Sequence, residues 1–403
     1  MRVARGLALA GAAGFLVLFF AWPVVTIVGR GLVADGHLDL AAFGDTLRRP
    51  GIPRIIAFTF LQATVSTLAT LVVGVPAAYV VSRYRFRGRA LLTAALTIPF
   101  VLPTVVVAGA AGFIGSHLCD LLLAEGHHVV GLDNLSTGRR SNLDAASRHP
   151  TFRFVEHDIT QPLPDLGAVD QIFHLASPAS PNDFATMPLE ILAVGSEGTR
   201  RLLDLAERTG ARLLLASTSE VYGEPMVHPQ VETYWGNVDP VGPRSCYDEA
   251  KRFAEALVTA YRSHRGVDAV IIRIFNTYGP RMRPGDGRVL VNFIDQALRG
   301  EPISVYGDGQ QTRSFCFVSD EVRGIVAAMA SGLPGPFNIG NPTEITILDL
   351  ARAVVSLTGS SSTIAREPLP PERAGDPSRR RPDIALAQRD LHWEPRSEEH
   401  TSE

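Results

Sequence analysis

Two motifs near the middle of the chain contain residues that can move protons. Tyr247 and Lys251 form a Y-x-x-x-K pair, and a helix would place their side chains one turn apart on the same face. A lysine ammonium stabilises phenolate and brings the pKa of a tyrosine from about 10 towards neutral pH. Thr218 lies in the stretch STSEVYG, where its hydroxyl can share a substrate proton. The pattern predicts that Tyr247 acts as a general base towards a hydroxyl group.

Y-x-x-x-K pairs are common, so the elements around this pair decide its meaning. Upstream, the β-branched run 105–107 leads into a turn that contains Gly109, Gly112 and Gly115, and a helical pattern follows as far as Glu125. Glycines let the backbone turn tightly and approach a pyrophosphate, whose charge the N-terminus of the helix stabilises. Strand, glycine turn and helix together predict a dinucleotide site, at which proton removal from a hydroxyl would accompany hydride transfer. The cationic nicotinamide at this site would act together with Lys251 to lower the pKa of Tyr247.

Asp133 selects between the two nicotinamide dinucleotides. It ends the next predicted strand, 128–132, about twenty residues after the glycine turn, where a carboxylate binds the ribose hydroxyls. Because a carboxylate would repel a 2′-phosphate, Asp133 favours NAD over NADP; an ordinary turn aspartate is the alternative. Further strands are predicted at 152–155, 171–175 and 213–216. Alternating strands and helices predict an α/β fold with a parallel, doubly wound Rossmann-type sheet and ligands at the strand carboxyl ends.

Six sequence stretches resemble one family. STSEVYGEP, GPRSCYDEAKR, RIFNTYGPRM, DGRVLVNFI, VYGDGQQTRSF and RRPDI are similar to the UDP-glucuronate decarboxylases, members of the extended short-chain dehydrogenase/reductase family, over residues from about 105 to 395. The resemblance implies NAD-dependent decarboxylation of UDP-glucuronate to UDP-xylose through a UDP-4-keto intermediate, with hydride returned internally. A UDP-sugar 4-epimerase or 4,6-dehydratase on the same scaffold is the alternative. The implied architecture adds a smaller C-terminal part that binds the UDP-sugar.

The resemblance also implies roles for individual residues. The implied catalytic residues are Thr218, Glu220, Tyr247, Lys251 and Arg380, and those around the UDP-sugar are Asn276, Arg288 and Arg313. The implied NAD-binding residues, besides Tyr247 and Lys251, are Gly109, Gly112, Phe113, Ile114, Gly115, Asp133, Asn134, Thr137, Gly138, Asp158, Ile159, Leu175, Ser177 and Thr277. Glu220 and Arg380 would assist decarboxylation and reprotonation of the sugar ring; a capping carboxylate and a solvated arginine are the alternatives. Where the family commonly has a tyrosine, this chain has Phe184, so one substrate contact differs.

The first hundred residues are mostly apolar and predict membrane helices. Residues 7–28 and 55–81 contain no charged residue, and each run is long enough to cross about 30 Å of hydrocarbon. A signal peptide is the alternative for the first run. The arginine-rich loop 83–89 is expected in the cytoplasm, which puts the enzyme part there and the whole chain at the inner membrane. A third span through Val107 would compete with the first strand of the sheet.

The two ends of the chain suggest a chimera. Residues 58–108 resemble permease subunits of binding-protein-dependent ABC importers, so a membrane transport subunit is a second alternative function. The expected parts are a permease-like transmembrane fragment at 1–104, an NAD-binding domain at 105–275, a UDP-sugar-binding part at 276–395 and a non-native tail at 396–403 that resembles translated sequencing adapter. A natural membrane-anchored decarboxylase is the alternative. Amplification across codons 95 to 120 from the source genome is the direct check, and a clean product of the expected length would contradict the chimera.

Net charge and cysteine spacing argue against nucleic-acid and metal partners, while two predicted helices indicate a homodimer. A net charge of −3 over 403 residues gives no reason to expect a nucleic-acid partner. Cys119, Cys246 and Cys316 are far apart and lack metal-ligand spacing, so reduced thiols and no metal are expected. The helices predicted around 189–207 and 247–263 would form the four-helix interface of a homodimer, as they do in relatives.

Overall fold

The computed structural model describes residues 33–34, 37–38, 103–370 and 375–396. The chain divides into two compact units, Met1–Phe100 and Val101–Glu403. In the first, the described residues are two short antiparallel strands, Val33–Ala34 and His37–Leu38. The predicted spans 7–28 and 55–81, the permease-like fragment and nearly all of the predicted tail lie outside the described residues, so these stay predictions. Among the residues that are described, no helix has both the length and the apolar character needed to cross a bilayer.

A seven-stranded parallel sheet forms the centre of the second unit. Its strands, in chain order, are β1 (Thr104–Ala108), β2 (His128–Asp133), β3 (Phe152–Glu156), β4 (Gln171–His174), β5 (Arg212–Thr218), β6 (Ala269–Ile274) and β11 (Phe337–Ile339). Their order across the sheet is β11-β6-β5-β4-β1-β2-β3, and every neighbouring pair is parallel. The Rossmann-type α/β sheet predicted from the sequence is confirmed.

The first strand explains why this sheet is covered on both faces. Val105, Val106, Val107 and Ala108 are fully buried in β1. Val105 and Val107 pack into one apolar core, while Val106 and Ala108 pack into another on the opposite face, because successive side chains of a strand point to opposite sides. A continuous run of β-branched residues is what a doubly covered parallel strand requires. Residues 105–108 are therefore a strand of the sheet and not part of a third membrane span.

Helices cover both faces and follow the strands as a doubly wound fold requires. They are α1 (Phe113–Ala124), α2 (Pro181–Thr186), α3 (Pro188–Ala193), α4 (Thr199–Thr209), α5 (Ser245–Arg265), α6 (Val289–Arg299), α7 (Val318–Ala330), α8 (Ile347–Thr358) and α9 (Ala385–Leu391). A π-helical turn, Val194–Gly198, joins α3 to α4. The 21-residue helix α5 is the longest of these and carries the Tyr247 and Lys251 pair.

A smaller C-terminal part is built from short strands around its own apolar core. Its strands are β7 (Thr277–Tyr278), β8 (Ile303–Tyr306), β9 (Thr312–Ser314), β10 (Cys316–Phe317), β12 (Glu344–Thr346), β13 (Ile364–Glu367) and β14 (Arg379–Arg380). Its core contains Phe293, Ile303, Val305 and Ala351. In the three-stranded sheet β12-β9-β14, Arg313 is directly opposite Arg380 in the parallel register. This pairing brings two predicted site residues, 67 positions apart in the sequence, side by side.

The C-terminal end of the described chain packs onto α7. The Trp393 side chain is 4% exposed, and its indole N–H donates to the carbonyl oxygen of Asp320 at 3.0 Å. A Cβ on Gly324 would lie 3.0 Å from the Trp393 ring, so the absence of a side chain at Gly324 makes room for the indole. The indole thus fixes the segment around Trp393 against α7, a helix that packs on the seven-stranded sheet.

We expect replacement of Trp393 by alanine to lower the free energy of unfolding by about 3–5 kcal/mol, because it removes a large buried ring and one buried hydrogen bond. Trp235 is 90% exposed, so Trp235→Ala is the matched control and should change stability by less than about 0.5 kcal/mol. Urea midpoints of the two variants compare them directly. Equal midpoints would show that the segment around Trp393 does not stabilise the fold.

Candidate active site

The proton-moving residues meet where β5 passes beneath α5. The Thr218 hydroxyl hydrogen-bonds the phenol of Tyr247. The ammonium of Lys251 donates to the carbonyl oxygen of Ala216 at 2.9 Å and lies 5.8 Å from the centroid of the Tyr247 ring. Tyr247 and Lys251 are each 6% exposed. The structure therefore brings together the three residues that the two sequence motifs singled out.

Burial changes the acidity of this pair in a way that the sequence argument left out. It raises the pKa of Tyr247 to about 12, although the hydrogen bond with Thr218 acts in the opposite direction. Burial also lowers the pKa of Lys251 to about 8. The protein's own groups therefore do not lower the tyrosine pKa, because desolvation of a phenolate outweighs the neighbouring hydrogen bond and charges. The drop expected from Lys251 together with a cationic nicotinamide stays a prediction for the NAD-bound site. The positive charge of a nicotinamide in the site would lower the pKa of Tyr247.

The glycine turn has the geometry that a pyrophosphate needs. Gly109 has a φ of +85°, which favours glycine, and a Cβ there would lie 2.7 Å from the backbone nitrogen of Ala176. A Cβ on Gly115 would lie 2.0 Å from the carbonyl oxygen of Gly109. Gly112 begins α1 with no side-chain cap, and the first turn of this helix contains no acidic residue. The N-terminus of α1 is therefore suited to an anion.

Asp133 stabilises the glycine turn. One carboxylate oxygen accepts from the backbone N–H of Ala111 at 2.9 Å, and the other accepts from that of Leu135 at 2.8 Å. Burial raises its pKa, and these backbone bonds act against that rise. A Cβ on Gly138 would lie 2.9 Å from the backbone of Ala111, so the loop after β2 also approaches the turn closely. The carboxylate that would bind ribose hydroxyls is held at the pyrophosphate turn.

The remaining predicted cofactor residues lie at the carboxyl ends of β1 to β4 and near β7. The Asn134 amide donates to Asp158 at 3.2 Å, and the Leu175 backbone N–H donates to Ala108 at 2.9 Å. Thr137, Ser177, Phe113 and Ile114 are half-buried, and the last two pack against the core beside α1. Ile159 is different, because its side chain is 4% exposed and belongs to the apolar core. Ile159 can therefore meet a ligand chiefly through its backbone.

Glu220 lies in a cluster of charges next to the Tyr247 pair. Its carboxylate forms ion pairs with Arg380, which is 3% exposed, and with Arg244 at 2.7 Å. Burial alone would raise the pKa of Glu220, but the two arginines outweigh it and hold that pKa at about 2. Arg313 lies close enough that burial and the charge of Arg380 lower its pKa to about 10. The cluster contains three arginines, Arg244, Arg313 and Arg380, whose guanidinium groups suit an anionic ligand.

Three contributors to this cluster were missed by the sequence analysis. Arg244 joins Glu220 to Asp376, which lies 2.5 Å from Arg244, and its guanidinium lies 5.3 Å above the Phe184 ring. Phe184 in turn stacks on Tyr247 with centroids 4.8 Å apart. Asp248 is buried, and burial together with the charge of Glu220 raises its pKa to about 7. The motif GPRSCYDEAKR contains two of these residues, but local spacing does not reveal their long-range partners.

The predicted UDP-sugar residues are distributed around the same cluster. Arg288 donates to the carbonyl oxygen of Ala179 at 3.2 Å. Burial is the main influence on the pKa of Tyr247 and raises it, while the charge of Arg288 acts in the opposite direction. Arg313 donates to its neighbour Thr312 at 2.8 Å. Asn276 is half-buried between β6 and β7, where its carbonyl accepts from the backbone of Cys316 at 2.9 Å. Arg288 and Arg313 therefore approach the Tyr247 and Glu220 groups, while no side-chain contact ties Asn276 to them in the described structure.

The second unit combines a Rossmann-type sheet and a glycine turn with an aspartate at the end of β2 and a buried Tyr–Lys pair. These features together define a dinucleotide-dependent enzyme of the short-chain dehydrogenase type. Residues 105–340 match the model of the NAD dependent epimerase/dehydratase family. The chain belongs to this family, and NAD is its cofactor.

Curated relatives refine the comparison. The chain is 52% identical over 292 residues to UDP-glucuronic acid decarboxylase 1 of Arabidopsis thaliana, covering 72% of this chain and 66% of that protein. It is 52% identical over 291 residues to UDP-glucuronic acid decarboxylase 1 of Danio rerio, covering 72% of this chain and 68% of the relative. It is 50% identical over 293 residues to UDP-glucuronic acid decarboxylase 3 of Arabidopsis thaliana, covering 72% of this chain and 84% of the relative.

Solved structures with the same fold are less similar in sequence. A UDP-glucose 4-epimerase from Thermotoga maritima superposes with a TM-score of 0.67 at 31% identity, covering 73% of this chain and 94% of that chain. A UDP-glucuronic acid 4-epimerase from Bacillus cereus, solved with UDP-glucuronic acid and NAD, superposes with a TM-score of 0.64 at 31% identity, with the same coverage of both chains. The curated decarboxylases are thus closer in sequence than these epimerases.

We expect Asp133→Asn to weaken NAD binding about tenfold or more, because an amide NH2 cannot accept the N–H of the glycine turn or a ribose hydroxyl. Asp165 is exposed and accepts from Gly167 in a surface loop, so Asp165→Asn is the control. Isothermal titration calorimetry with NAD measures both. Equal affinity in the two variants would contradict the role assigned to the Asp133 carboxylate.

Proposed function

We propose that residues 105–395 catalyse the NAD-dependent decarboxylation of UDP-glucuronate to UDP-xylose. The observation that carries this proposal is Glu220, ion-paired with the buried Arg380 and with Arg244 beside the Tyr247 and Lys251 pair. Such a cluster suits a sugar that carries its own carboxylate next to the reacting carbon. The 50–52% identity to UDP-glucuronic acid decarboxylases supports the same substrate and reaction.

Tyr247, with Lys251 and Thr218, carries out the first step, which is oxidation of the sugar at C4. Its phenolate, stabilised by the ammonium of Lys251, removes the proton from the C4 hydroxyl of the glucuronosyl ring, and Thr218 shares that proton through its hydrogen bond. The glycine turn and Asp133 would hold NAD, which would supply the acceptor for hydride from C4 and the donor that returns it. The resulting 4-keto sugar is a β-keto acid, whose carboxylate leaves as CO2 because the ketone accepts the electron pair.

Glu220 and its arginines prepare the carboxylate for departure and the ring for reprotonation. With its pKa near 2, Glu220 stays ionised at neutral pH and cannot itself give C5 the proton that replaces CO2. Its carboxylate instead orients a water molecule that donates this proton to C5, and the hydroxide that remains takes a proton from solvent. Arg380 and Arg244 orient this carboxylate, and Arg313 adds positive charge for the anionic substrate. Arginine suits this role because its planar fork holds two oxygens in a fixed geometry. Asn276, Arg288 and Thr277 complete the proposed UDP-sugar and cofactor contacts.

The product formed from UDP-glucuronate tests the proposed reaction. With trace NAD, the chain should release CO2 and form a UDP-pentose, identified by mass spectrometry. Glu220→Gln should slow CO2 release about 100-fold or more, because the amide loses the negative charge that holds Arg244 and Arg380 in place. Glu207 forms an exposed ion pair with Arg265, so Glu207→Gln is the control that should keep the rate.

A UDP-sugar 4-epimerase is the second candidate, and the solved epimerases of the same fold support it. An epimerase would return a product of unchanged mass with inverted configuration at C4. Such a product from UDP-glucuronate would overturn the decarboxylase proposal and favour the epimerase.

We also propose that the enzyme part forms a homodimer through α3 and α5 and acts in the cytoplasm. Leu189 and Leu192 on α3 are 74% and 40% exposed, and Phe253 on the adjacent α5 is 53% exposed. Large apolar side chains on neighbouring helices favour burial against a second copy, as in the four-helix interface expected from the sequence. Cys119, Cys246 and Cys316 form no disulfide bond, which suits a reducing compartment.

We expect Phe253→Asp to convert the dimer to monomer, because the substitution would bury a charge in the proposed interface. Leu357 on α8 is 88% exposed and lies outside the proposed interface, so Leu357→Asp should leave the dimer intact. Multi-angle light scattering after size-exclusion chromatography gives both masses. A wild-type chain that elutes as a monomer, or a Phe253→Asp variant that stays dimeric, would contradict this interface.

A further inference from the structure

We propose that Glu255 is a positioning residue, which acts with Arg273 to fix the site strand and to keep Lys251 positively charged. Glu255 acts through Ser217, whose hydroxyl it accepts from, and through the charge of Lys251. The inference rests on the proposed function in that Lys251 stabilises the Tyr247 phenolate. The evidence for this role is a set of hydrogen bonds between β5 and α5, next to the Tyr247 and Lys251 pair.

Three successive residues of β5 each bond one of three residues on the same face of α5. The Ala216 carbonyl accepts from Lys251 at 2.9 Å, and Thr218 hydrogen-bonds Tyr247. Between them, the Ser217 hydroxyl donates to Glu255 at 2.6 Å. Tyr247, Lys251 and Glu255 are spaced by four residues, so they form one row along the helix. Glu255 therefore supplies the third attachment that sets how β5 lies against α5.

The Glu255 carboxylate is itself held rigidly. Arg273 on β6 donates to it through two nitrogens, at 2.9 and 2.8 Å, in a bidentate pair. The two side chains are 14% and 11% exposed. Arg273 also donates to the hydroxyl of Tyr222 at 2.9 Å, and Tyr222 donates to Asn338 at 2.7 Å. Glu255 thus links the site strand to two further strands of the sheet.

The charges around Lys251 give this link an electrostatic role. Burial lowers the pKa of Lys251, and the negative charge of Glu255 on the same helix raises it. His174 faces Lys251 from β4, but burial lowers the pKa of His174 to about 3, so this imidazole is neutral at working pH. Tyr247 faces it from α5 and is neutral until its proton leaves. Lys251 loses its charge as pH rises through its pKa, and removal of Glu255 moves that loss to lower pH.

Two substitutions that break the same ion pair separate this electrostatic role from a merely structural one. Glu255→Gln removes the negative charge and leaves Arg273 in place, so the pKa of Lys251 should fall. Arg273→Gln removes the positive charge and leaves Glu255 less neutralised, so the pKa of Lys251 should rise. Damage to the fold alone would not move the pKa of Lys251 in opposite directions in the two variants.

The sequence makes this titration direct, because Lys251 is the only lysine among the 403 residues. Incorporation of 13Cε-labelled lysine into the purified chain gives one side-chain signal, whose shift with pH reports the charge of Lys251 alone. We expect the midpoint to move down by about one pH unit in Glu255→Gln and up by a similar amount in Arg273→Gln. Glu207→Gln, at the exposed pair with Arg265, should leave it unchanged.

The rate of CO2 release should follow the titration. The alkaline limb of its pH profile should shift in the same direction as the lysine midpoint in each variant. An unchanged midpoint in Glu255→Gln, or shifts of the same sign in both variants, would overturn the proposal. Where Glu255→Gln does not fold, an unchanged or lowered midpoint in Arg273→Gln overturns it. Because the titration needs no substrate, it gives this answer even if the chain fails to decarboxylate UDP-glucuronate.

Discussion

The rest of the site depends on a buried ammonium held between one strand and one helix. Lys251 is 6% exposed and donates to a backbone carbonyl of β5, in surroundings that disfavour its charge. A buried cation is stable when hydrogen bonds and opposite charges compensate its lost hydration. The compensation here fixes the spacing between β5 and α5, and this spacing brings the hydroxyls of Thr218 and Tyr247 into contact.

In a second charge cluster, a carboxylate lies between arginines, and its members come from distant parts of the chain. Glu220 follows directly from β5, whereas Arg380 and Asp376 belong to the segment that returns after α8. Arg244, at the start of α5, is the group that both parts share, because it pairs with Glu220 and with Asp376. The carboxylate chemistry therefore becomes available only when the C-terminal part has folded against the Rossmann sheet. The hydroxyl chemistry of Tyr247, by contrast, needs the sheet and α5 alone.

This difference explains how much could be predicted from the sequence. The strands, the glycine turn, Asp133 and the Tyr247 pair are local patterns, in which neighbouring residues carry the signal, and the structure places them as expected. Arg244 and Asp376 are 132 positions apart, and nothing in their local sequence indicates that they meet. The pKa of Tyr247 was expected to fall because the charges of Lys251 and of a nicotinamide were considered, whereas the burial of the Tyr247 phenol was not. Desolvation depends on the whole fold and therefore cannot be inferred from local sequence motifs.

Two buried glutamates show why residue type alone does not give the charge of a site. Glu220 lies between two arginines, which hold its pKa near 2 and keep it ionised. Glu321 is fully buried on α7, and its hydrogen-bond partners include Thr277 at 3.1 Å. Burial raises the pKa of Glu321 well above its usual value, and this carboxyl group accepts a hydrogen bond from the hydroxyl of Thr277. One carboxyl group thus lies between two arginines that favour its charge, next to the proposed sugar site. The other accepts from a hydroxyl next to the proposed cofactor site, in a buried position that disfavours its charge. Local sequence does not separate the two roles; what separates them is whether an arginine from a distant strand reaches the carboxylate.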